Sequence, residues 1–161
     1  MTRIVALLLA IMLAGPAAAQ GTDIAFGGLK HDTSLPVEVA SDNLQIDQAD
    51  GTASFSGNVL ITQGEMRLSA GAVRVVYAPG AAGRISELRA TGGVTFVNGA
   101  EAAEAREAVY SIEKATVVMT GDVILTQGQN ALSSDSLTID LNSGTGSLSG
   151  RVRTVFQTGN N

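Results

Sequence analysis

A four-residue phrase, Ser or Thr followed by Gly, a variable residue and Val, occurs four times in the chain. Its copies start 35, 29 and 29 residues apart, at Ser56–Val59, Thr91–Val94, Thr120–Val123 and Ser149–Val152. A recurrence with a period of about 29 residues is typical of folds in which each unit buries its apolar face only by stacking on its neighbours. The phrase therefore predicts a stacked, solenoid-like chain whose function lies in the stacked surface.

A second phrase, with apolar residues two positions apart, alternates with the first. Its copies are Leu44 and Ile46, Val73 and Val75, Val109, and Leu137 and Ile139. In both phrases the one longer interval between copies falls in the same unit of the repeat. In that unit, Ala78–Gly83 has the composition of a turn with an inserted loop. Gly57–Gly64 also aligns with Gly121–Gly128 without a gap. These agreements favour true internal repeats of one supersecondary unit.

Apolar residues alternate with polar ones along nearly every segment, which is the period of a half-buried β-strand. Gly-rich segments recur every eight to twelve residues or so, as expected between strands. The stretch Glu101–Val109 is the one that tolerates a helix, and we interpret it as a turn that enters a strand. The chain is therefore predicted to be all-β, with apolar columns that run down one face of the stack.

Each copy of the first phrase places a Gly in the inward column of its strand. Gly inside a strand is unfavourable and marks a bend, a bulge or a close approach. One interpretation is that the strands bend there to close a packed sandwich, and the other is that the missing side chains leave room along the interior. The two are compatible.

Residues 1–19 read as a cleavable secretory signal. Arg3 is followed by the apolar run Ile4–Leu13 and the small residues Ala17–Ala19. The run is too short for a hydrocarbon core of about 30 Å, so a permanent anchor is disfavoured. We expect a mature chain from Gln20, with a loose leader at 20–34, one domain at 35–157 and a tail at 158–161.

Composition excludes several classes of function. The net charge of −5 becomes −6 once Arg3 is removed, which argues against nucleic acid as a partner. The chain has no Cys, so disulfides do not stabilise it. The single His, His31, has no partner for a catalytic triad in the sequence, and Asp47–Gly51 reads as a hairpin turn rather than a calcium loop. We expect no catalytic residues, no metal and no cofactor.

Three segments resemble the LptA/OstA family of periplasmic lipopolysaccharide transport proteins: Leu35–Asp42, Phe55–Gly64 and Val118–Val123. The resemblance covers about residues 35–156. It implies a slightly twisted, V-shaped β-jellyroll of stacked antiparallel strands that is open at both ends. It also implies a periplasmic lipopolysaccharide-binding transport protein that bridges the inner-membrane extraction complex and the outer-membrane translocon in outer-membrane assembly. The partners it implies are an inner-membrane relay protein and a translocon with related domains.

The resemblance and the alternation together give candidate binding residues. We expect a groove for the acyl chains of lipid A that is lined by Val37, Val39, Phe55, Val59, Ile61, Val94, Phe96, Met119, Val123, Leu125, Leu148 and Val152. An open stack leaves unpaired edge strands, which favour head-to-tail self-association. The edge residues are Val37, Val39, Val152, Val155 and Phe156.

Other interpretations remain open at this stage. A structural β-solenoid that polymerises would have the same repeats, and another OstA-superfamily lipid carrier would have the same groove. A carbohydrate-active β-helix enzyme is disfavoured because it would need clustered carboxylates on one exposed face. Lipid access to the inward columns separates the carriers from the structural protein.

Overall fold

A computed structural model of the chain describes residues 22–25, 29–47, 49, 51–80 and 83–156. The predicted signal and tail lie outside these ranges, as does Gln157. The strands are β1 Thr22–Ala25, β2 Glu38–Ala40, β3 Asn43–Asp47, β4 Thr52–Gln63, β5 Met66–Tyr77, β6 Ile85–Asn98, β7 Glu101–Ala105, β8 Glu107–Ser111, β9 Thr116–Gln127, β10 Asn130–Asp140, β11 Thr145–Ser149 and β12 Arg153–Val155. Within the described ranges, no helix has the length and apolarity needed to cross a bilayer.

All the strands join one antiparallel sheet that divides into two half-sheets. Five long strands, β4, β5, β6, β9 and β10, run through both halves, whereas each short strand pairs within one half. Half-sheet A contains β2, β7 and β12 and the adjoining parts of the long strands. Half-sheet B contains β1, β3, β8 and β11. The long strands therefore determine how the two halves face each other.

Each long strand changes direction at a corner. In β4, β6 and β9 the repeated phrase supplies two consecutive residues in the left-handed region there, and the fourth copy, with Gly150 and Arg151, lies between β11 and β12. The φ angles are 78° and 46° at Gly57 and Asn58, and 85° and 49° at Gly121 and Asp122. Gly92 with Gly93 and Gly150 with Arg151 have the same sign of φ. The ladder shifts register between Ser56 and Val59, so that two residues face a single residue of β5. Such a bulge bends the strand, and Gly tolerates its backbone without a steric penalty.

Side chains from neighbouring segments fill the space beside three of the corner glycines, Gly57, Gly121 and Gly150. A Cβ on Gly57 would lie 2.6 Å from Oδ2 of Asp42, and one on Gly121 would lie 3.0 Å from Cβ of Arg106. Gly150 is covered in the same way by Asp135. The expectation that these glycines leave room in an inward column is therefore wrong, because the corner bends outward and places them at the surface side of the fold.

Polar pairs connect the segments that meet at the corner. The Nδ2 group of Asn58 donates to Asp42 over 2.8 Å, and the guanidinium of Arg106 donates to Asp122. Nε of Arg151 donates to Asp135 over 3.0 Å, and this hydrogen bond holds the pKa of the Asp135 carboxyl below its ordinary value. Each pair joins residues 16 positions apart and is exposed to solvent. Such exposed pairs select the geometry of the corner more than they stabilise the fold.

The core lies between the half-sheets. In β4 and β9 the buried residues are odd-numbered on both sides of the corner, and in β6 they are even-numbered on both sides. This parity is kept because the bulge adds two residues. In β5 and β10 a single residue is added, and the parity changes between Ala70 and Val73 and between Ser134 and Leu137. In β8 the buried residues are Ala108, Tyr110 and Ser111, whereas Val109 is only partly buried. The predicted turn at Glu101–Val109 is instead two strands on either side of Arg106.

The corner predicts a difference between two chemically identical substitutions. Gly93→Ala places a Cβ at a φ of 82° with no heavy atom within 4 Å, whereas Gly121→Ala adds contacts with Arg106 at the same sign of φ. We expect Gly93→Ala to lower the free energy of unfolding by about 1 kcal/mol and Gly121→Ala by roughly 1–3 kcal/mol more. Denaturant unfolding of both variants tests this, and equal losses would contradict the packing assigned to the corner.

Candidate functional site

One continuous apolar interior runs between the two half-sheets, and it contains most of the predicted groove. The fully buried members are at most 2% exposed and belong to a single cluster, namely Val59, Ile61, Val94, Phe96, Met119, Val123, Leu125 and Leu148. They come from β4, β6, β9 and β11. The structure therefore brings together residues that are almost 90 positions apart in the sequence, and their side chains offer only hydrocarbon, an aromatic ring and a thioether to a ligand.

The remaining predicted residues lie toward the ends of this interior. Val37, Val39 and Phe55 are partly buried and pack against the cluster at the end formed by β2 and β3. Val152 is 40% exposed, and with Val123 it lines an open groove of about 510 Å³ near the other end. Val155 and Phe156 are 59% and 70% exposed there. The interior is thus packed in the middle, and the partly buried or exposed members of the predicted set lie toward its two ends.

A segment that we call the strap, Leu29–Pro36, crosses the side of the fold opposite the corner. We call this side the mouth, because the two half-sheets end there in separate rows of turns. The backbone N–H of His31 donates to the carbonyl of Leu141 in a turn of half-sheet B over 2.9 Å. The side chain of Leu35 lies against Gly64 in a turn of half-sheet A. The strap therefore spans the mouth from one half-sheet to the other.

Leu29 and Gln63 fix the strap. Leu29 is fully buried and belongs to the apolar cluster. Nε2 of Gln63 donates to the carbonyl oxygens of Thr33 and Leu35 over 3.0 and 2.7 Å, and Oε1 of Gln63 accepts from the Tyr110 hydroxyl over 2.7 Å. Burial raises the pKa of Tyr110 above its usual value, so the phenol remains a neutral donor near pH 7. These bonds join β4, β8 and the strap across the mouth.

Sequence reasoning missed the strap and the residues that hold it. The predicted loose leader, 20–34, includes β1, which pairs with β11, and the buried Leu29. Leu29 lies in a polar context and Gln63 next to a Gly turn, so neither gives a periodic signal. Tyr110 had such a signal in the alternation of β8, because Ala108 and Tyr110 share a face. The neighbouring Val109 was instead the residue assigned to the second repeated phrase.

The two ends of the sheet differ in how they are covered. At one end β2 and β3 are edge strands, and Leu44 and Ile46 of β3 are 52% and 66% exposed. At the other end β12 is an edge strand, whereas β11 is paired on its outer side by β1. Of the predicted edge residues, Val39 lies in β2 and Val155 in β12, whereas Val37, Val152 and Phe156 lie just outside these strands. At the C-terminal end, the outer side of β11 is occupied by β1 of the same chain.

The chemistry of the site is that of a binding surface. Within the described part of the chain, no group of three or more acidic or His side chains is arranged to hold a metal ion. The Asp47–Gly51 segment joins β3 to β4, with Asp47 paired to Thr52, as expected of a hairpin. What the arrangement offers a ligand is an elongated apolar interior with a strapped mouth and two ends.

Comparison with known proteins gives a consistent result. An uncharacterized protein of Rhizobium meliloti is 30% identical over 89% of this chain and 83% of that protein. The lipopolysaccharide export system protein LptA of Escherichia coli is 31% identical over 66% of this chain and 60% of that protein. LptH of Pseudomonas aeruginosa, described as the LptA homologous periplasmic component of a lipopolysaccharide transport device, superposes with a TM-score of 0.69. That superposition covers 78% of this chain and 98% of LptH at 17% identity.

The likeness to LptH confirms the predicted all-β, antiparallel jellyroll. The family assignment has a separate basis. A family model described as the LptA/(LptD N-terminal domain) LPS transport protein matches residues 38–145, which contain β2 to β10 and most of the apolar interior. The chain therefore belongs to the LptA/LptD N-terminal domain family of lipopolysaccharide transport proteins.

Proposed function

We propose that the protein is a periplasmic carrier that binds lipopolysaccharide by its acyl chains between the two half-sheets. The observation that carries this proposal is the continuous apolar cluster, which extends from Val39 in β2 to Leu148 in β11 within a chain of this family. The secretory signal predicted from the sequence of residues 1–19 supports export to the periplasm. No catalysis is part of the proposal.

The free energy of hydration explains why such a track is needed. Each methylene exposed to water costs about 0.8 kcal/mol, so an acyl chain of roughly ten methylenes costs about 8 kcal/mol. When a lipid enters, the side chains of the interior lose contacts with one another and gain contacts with the acyl chains. Both kinds of contact are between hydrocarbon groups. Separation of the half-sheets around a lipid therefore costs much less than exposing either surface to water.

The mouth provides the place for the polar part of the lipid. A glycan does not fit between two packed half-sheets, so the acyl chains lie inside while the head group remains outside, across the mouth. A lipid that moves along the interior in this pose meets the strap, which joins Leu141 to Gln63. We therefore propose that the strap leaves the mouth during loading or passage.

The ends provide the connection to partners. Edge strands offer unpaired backbone groups to an incoming strand, and a head-to-tail contact between different edges can repeat. We propose that β2 and β3 pair with a strand of an inner-membrane relay protein or of another copy of this chain. At the other end, β12 pairs with another copy or with an outer-membrane translocon. There β11 also becomes available once β1 leaves it. The apolar interiors would then form one track.

A structural β-solenoid that only polymerises is the second candidate, because the exposed edges β3 and β12 fit it equally well. Another lipid of the same general class is the third, since a hydrocarbon interior has little shape specificity. Capture of lipid from the interior distinguishes both carriers from the structural protein.

The first test uses neighbouring residues that face opposite sides of β9. Val123 is fully buried, whereas Ile124 is 47% exposed, and both are aliphatic. A photoreactive residue at position 123 should crosslink lipopolysaccharide at several times the yield of one at position 124, since alternate side chains of a strand face opposite sides. Equal yields from the two positions would argue against an internal groove.

The strap predicts an increase in the rate of lipid uptake. Leu29→Ala removes the side chain that fixes the strap in the interior, and we expect faster hydrogen exchange of the His31 amide and faster uptake of lipopolysaccharide. Leu137→Ala is the matched control, because Leu137 is equally buried but lies in β10. Each substitution should lower the free energy of unfolding by about 2–5 kcal/mol. Uptake that is not faster in Leu29→Ala than in Leu137→Ala would show that the strap does not restrict entry.

The edges predict reversible assembly. The mature chain should show a concentration-dependent increase in mass by light scattering, and Val37→Pro with Val155→Pro should reduce it, because proline lacks the N–H group that an added strand needs. Deletion of residues 20–28 should shift assembly to lower concentrations, since it frees the outer side of β11. Melting temperatures control for folding. A chain that stays monomeric in all three forms and binds no partner domain would instead indicate a carrier that shuttles single lipids.

A further inference from the structure

A row of polar side chains lies on the inner face of half-sheet A along the mouth. We call it the polar belt, and it consists of Gln63, Asn98, Glu101, Gln127 and Asn130. Asn98 pairs with Glu101, Glu101 with Gln127, and Gln127 with Asn130 in the strand register, while Gln63 pairs with Met66. The belt thus follows one cross-strand row, directly above the apolar residues of the groove, with the buried Met66 between Gln63 and Asn98.

Two members of the belt are buried without a complete set of partners. Asn98 is 2% exposed and Glu101 is 5% exposed. Asn98 has the same parity as Phe96, and Glu101 the same parity as Ala103, so both lie on the inner face. Oε1 of Glu101 accepts from Gln127 over 3.0 Å, but Oε2 of Glu101 and Nδ2 of Asn98 have no hydrogen-bond partner among the described residues.

An unpartnered buried polar atom is costly, by about 1–3 kcal/mol, so its presence in the interior calls for an explanation. Here the acceptor is Oε2 of Glu101 and the donor is Nδ2 of Asn98. The two residues lie directly opposite each other in adjacent strands, where Cβ atoms are about 5 Å apart. A ligand group that carries both a carbonyl oxygen and an N–H or O–H would satisfy the two atoms together.

The strap shows what the belt can bind. At Gln63 the same row donates to two backbone carbonyl oxygens, those of Thr33 and Leu35. Both belong to backbone amides of the strap, and the strap also inserts Leu29 into the apolar cluster. The strap thus offers amide carbonyls to this row while one of its apolar side chains enters the interior, and the linkage between an acyl chain and its head group could do the same.

We propose that the polar belt recognises the linkage region of the bound lipid, and that Asn98 and Glu101 select chains joined by an amide or bearing a hydroxyl group near the linkage. Nδ2 of Asn98 donates to the linkage carbonyl, and Oε2 of Glu101 accepts from the N–H or O–H. This inference rests on the proposed lipid-binding function. The polar belt adds lipid specificity to that function. A simple diester lipid has carbonyls but lacks an N–H or O–H group from which Glu101 would accept a hydrogen bond.

Affinity for lipopolysaccharide tests the proposal in the full mature chain. We expect Asn98→Leu to bind lipopolysaccharide roughly five- to tenfold more weakly, from the loss of one hydrogen bond. Its lipid-free melting temperature should be unchanged or higher, because an apolar side chain replaces an unpaired amide. Glu101→Gln, which turns the free acceptor into a donor while keeping an oxygen for Gln127, should show a similar loss. Val97→Leu, on the opposite face of β6, is the control and should bind like the wild type.

A second measurement addresses the selectivity itself. A diester phospholipid with the same chain length should compete with lipopolysaccharide for the wild type poorly, and for Glu101→Gln at least threefold better. Wild-type affinity in both belt variants, or a loss of affinity that follows a fall in melting temperature, would overturn the proposal. Absence of lipopolysaccharide binding by the wild type would refute the proposed function itself, which distinguishes that failure from failure of the belt.

Discussion

The left-handed pair of residues at the corner is the constraint on which the rest of the structure depends. Gly57 with Asn58 and Gly121 with Asp122 bend strands that would otherwise continue straight. Without these bends β4 and β9 would form a single flat sheet, and the apolar faces of the two halves would not meet. Five long strands that turn at the same level give instead two facing half-sheets, one apolar interior and one mouth.

The distribution of polarity follows from this geometry. The corner is exposed, and charged or amide side chains connect its strands there. The opposite side is the mouth, where half-sheet A carries the polar belt and the strap closes the gap. An amphiphile with its chains inside and its head group outside matches this order of apolar, polar and solvent layers. The strand that covers the edge of β11, β1, and the strap both belong to the N-terminal region of the chain. This region therefore links access to the interior with access to one end of the sheet.

Much of the apolar interior could be predicted from the sequence because strand alternation is a local property. Alternation placed Phe96, Val123 and Leu125 on the inward face, and the structure buries them. The same rule cannot be continued across a bulge that adds a single residue. Parity changes at Gly71 and at Asp135, and nothing in the local pattern distinguishes one added residue from two.

The sequence by itself determined that the chain is all-β, that its strands have one apolar face, and that glycines interrupt them at regular places, since each of these depends on residues a few positions apart. Only the tertiary structure decided what closes the interior. The bond from Tyr110 to Gln63 joins residues 47 positions apart, and Leu29 is buried by strands far from it in the chain. Such contacts arise from the packing of the folded half-sheets, so a polar residue in a turn and a lone leucine carry no local sign of them.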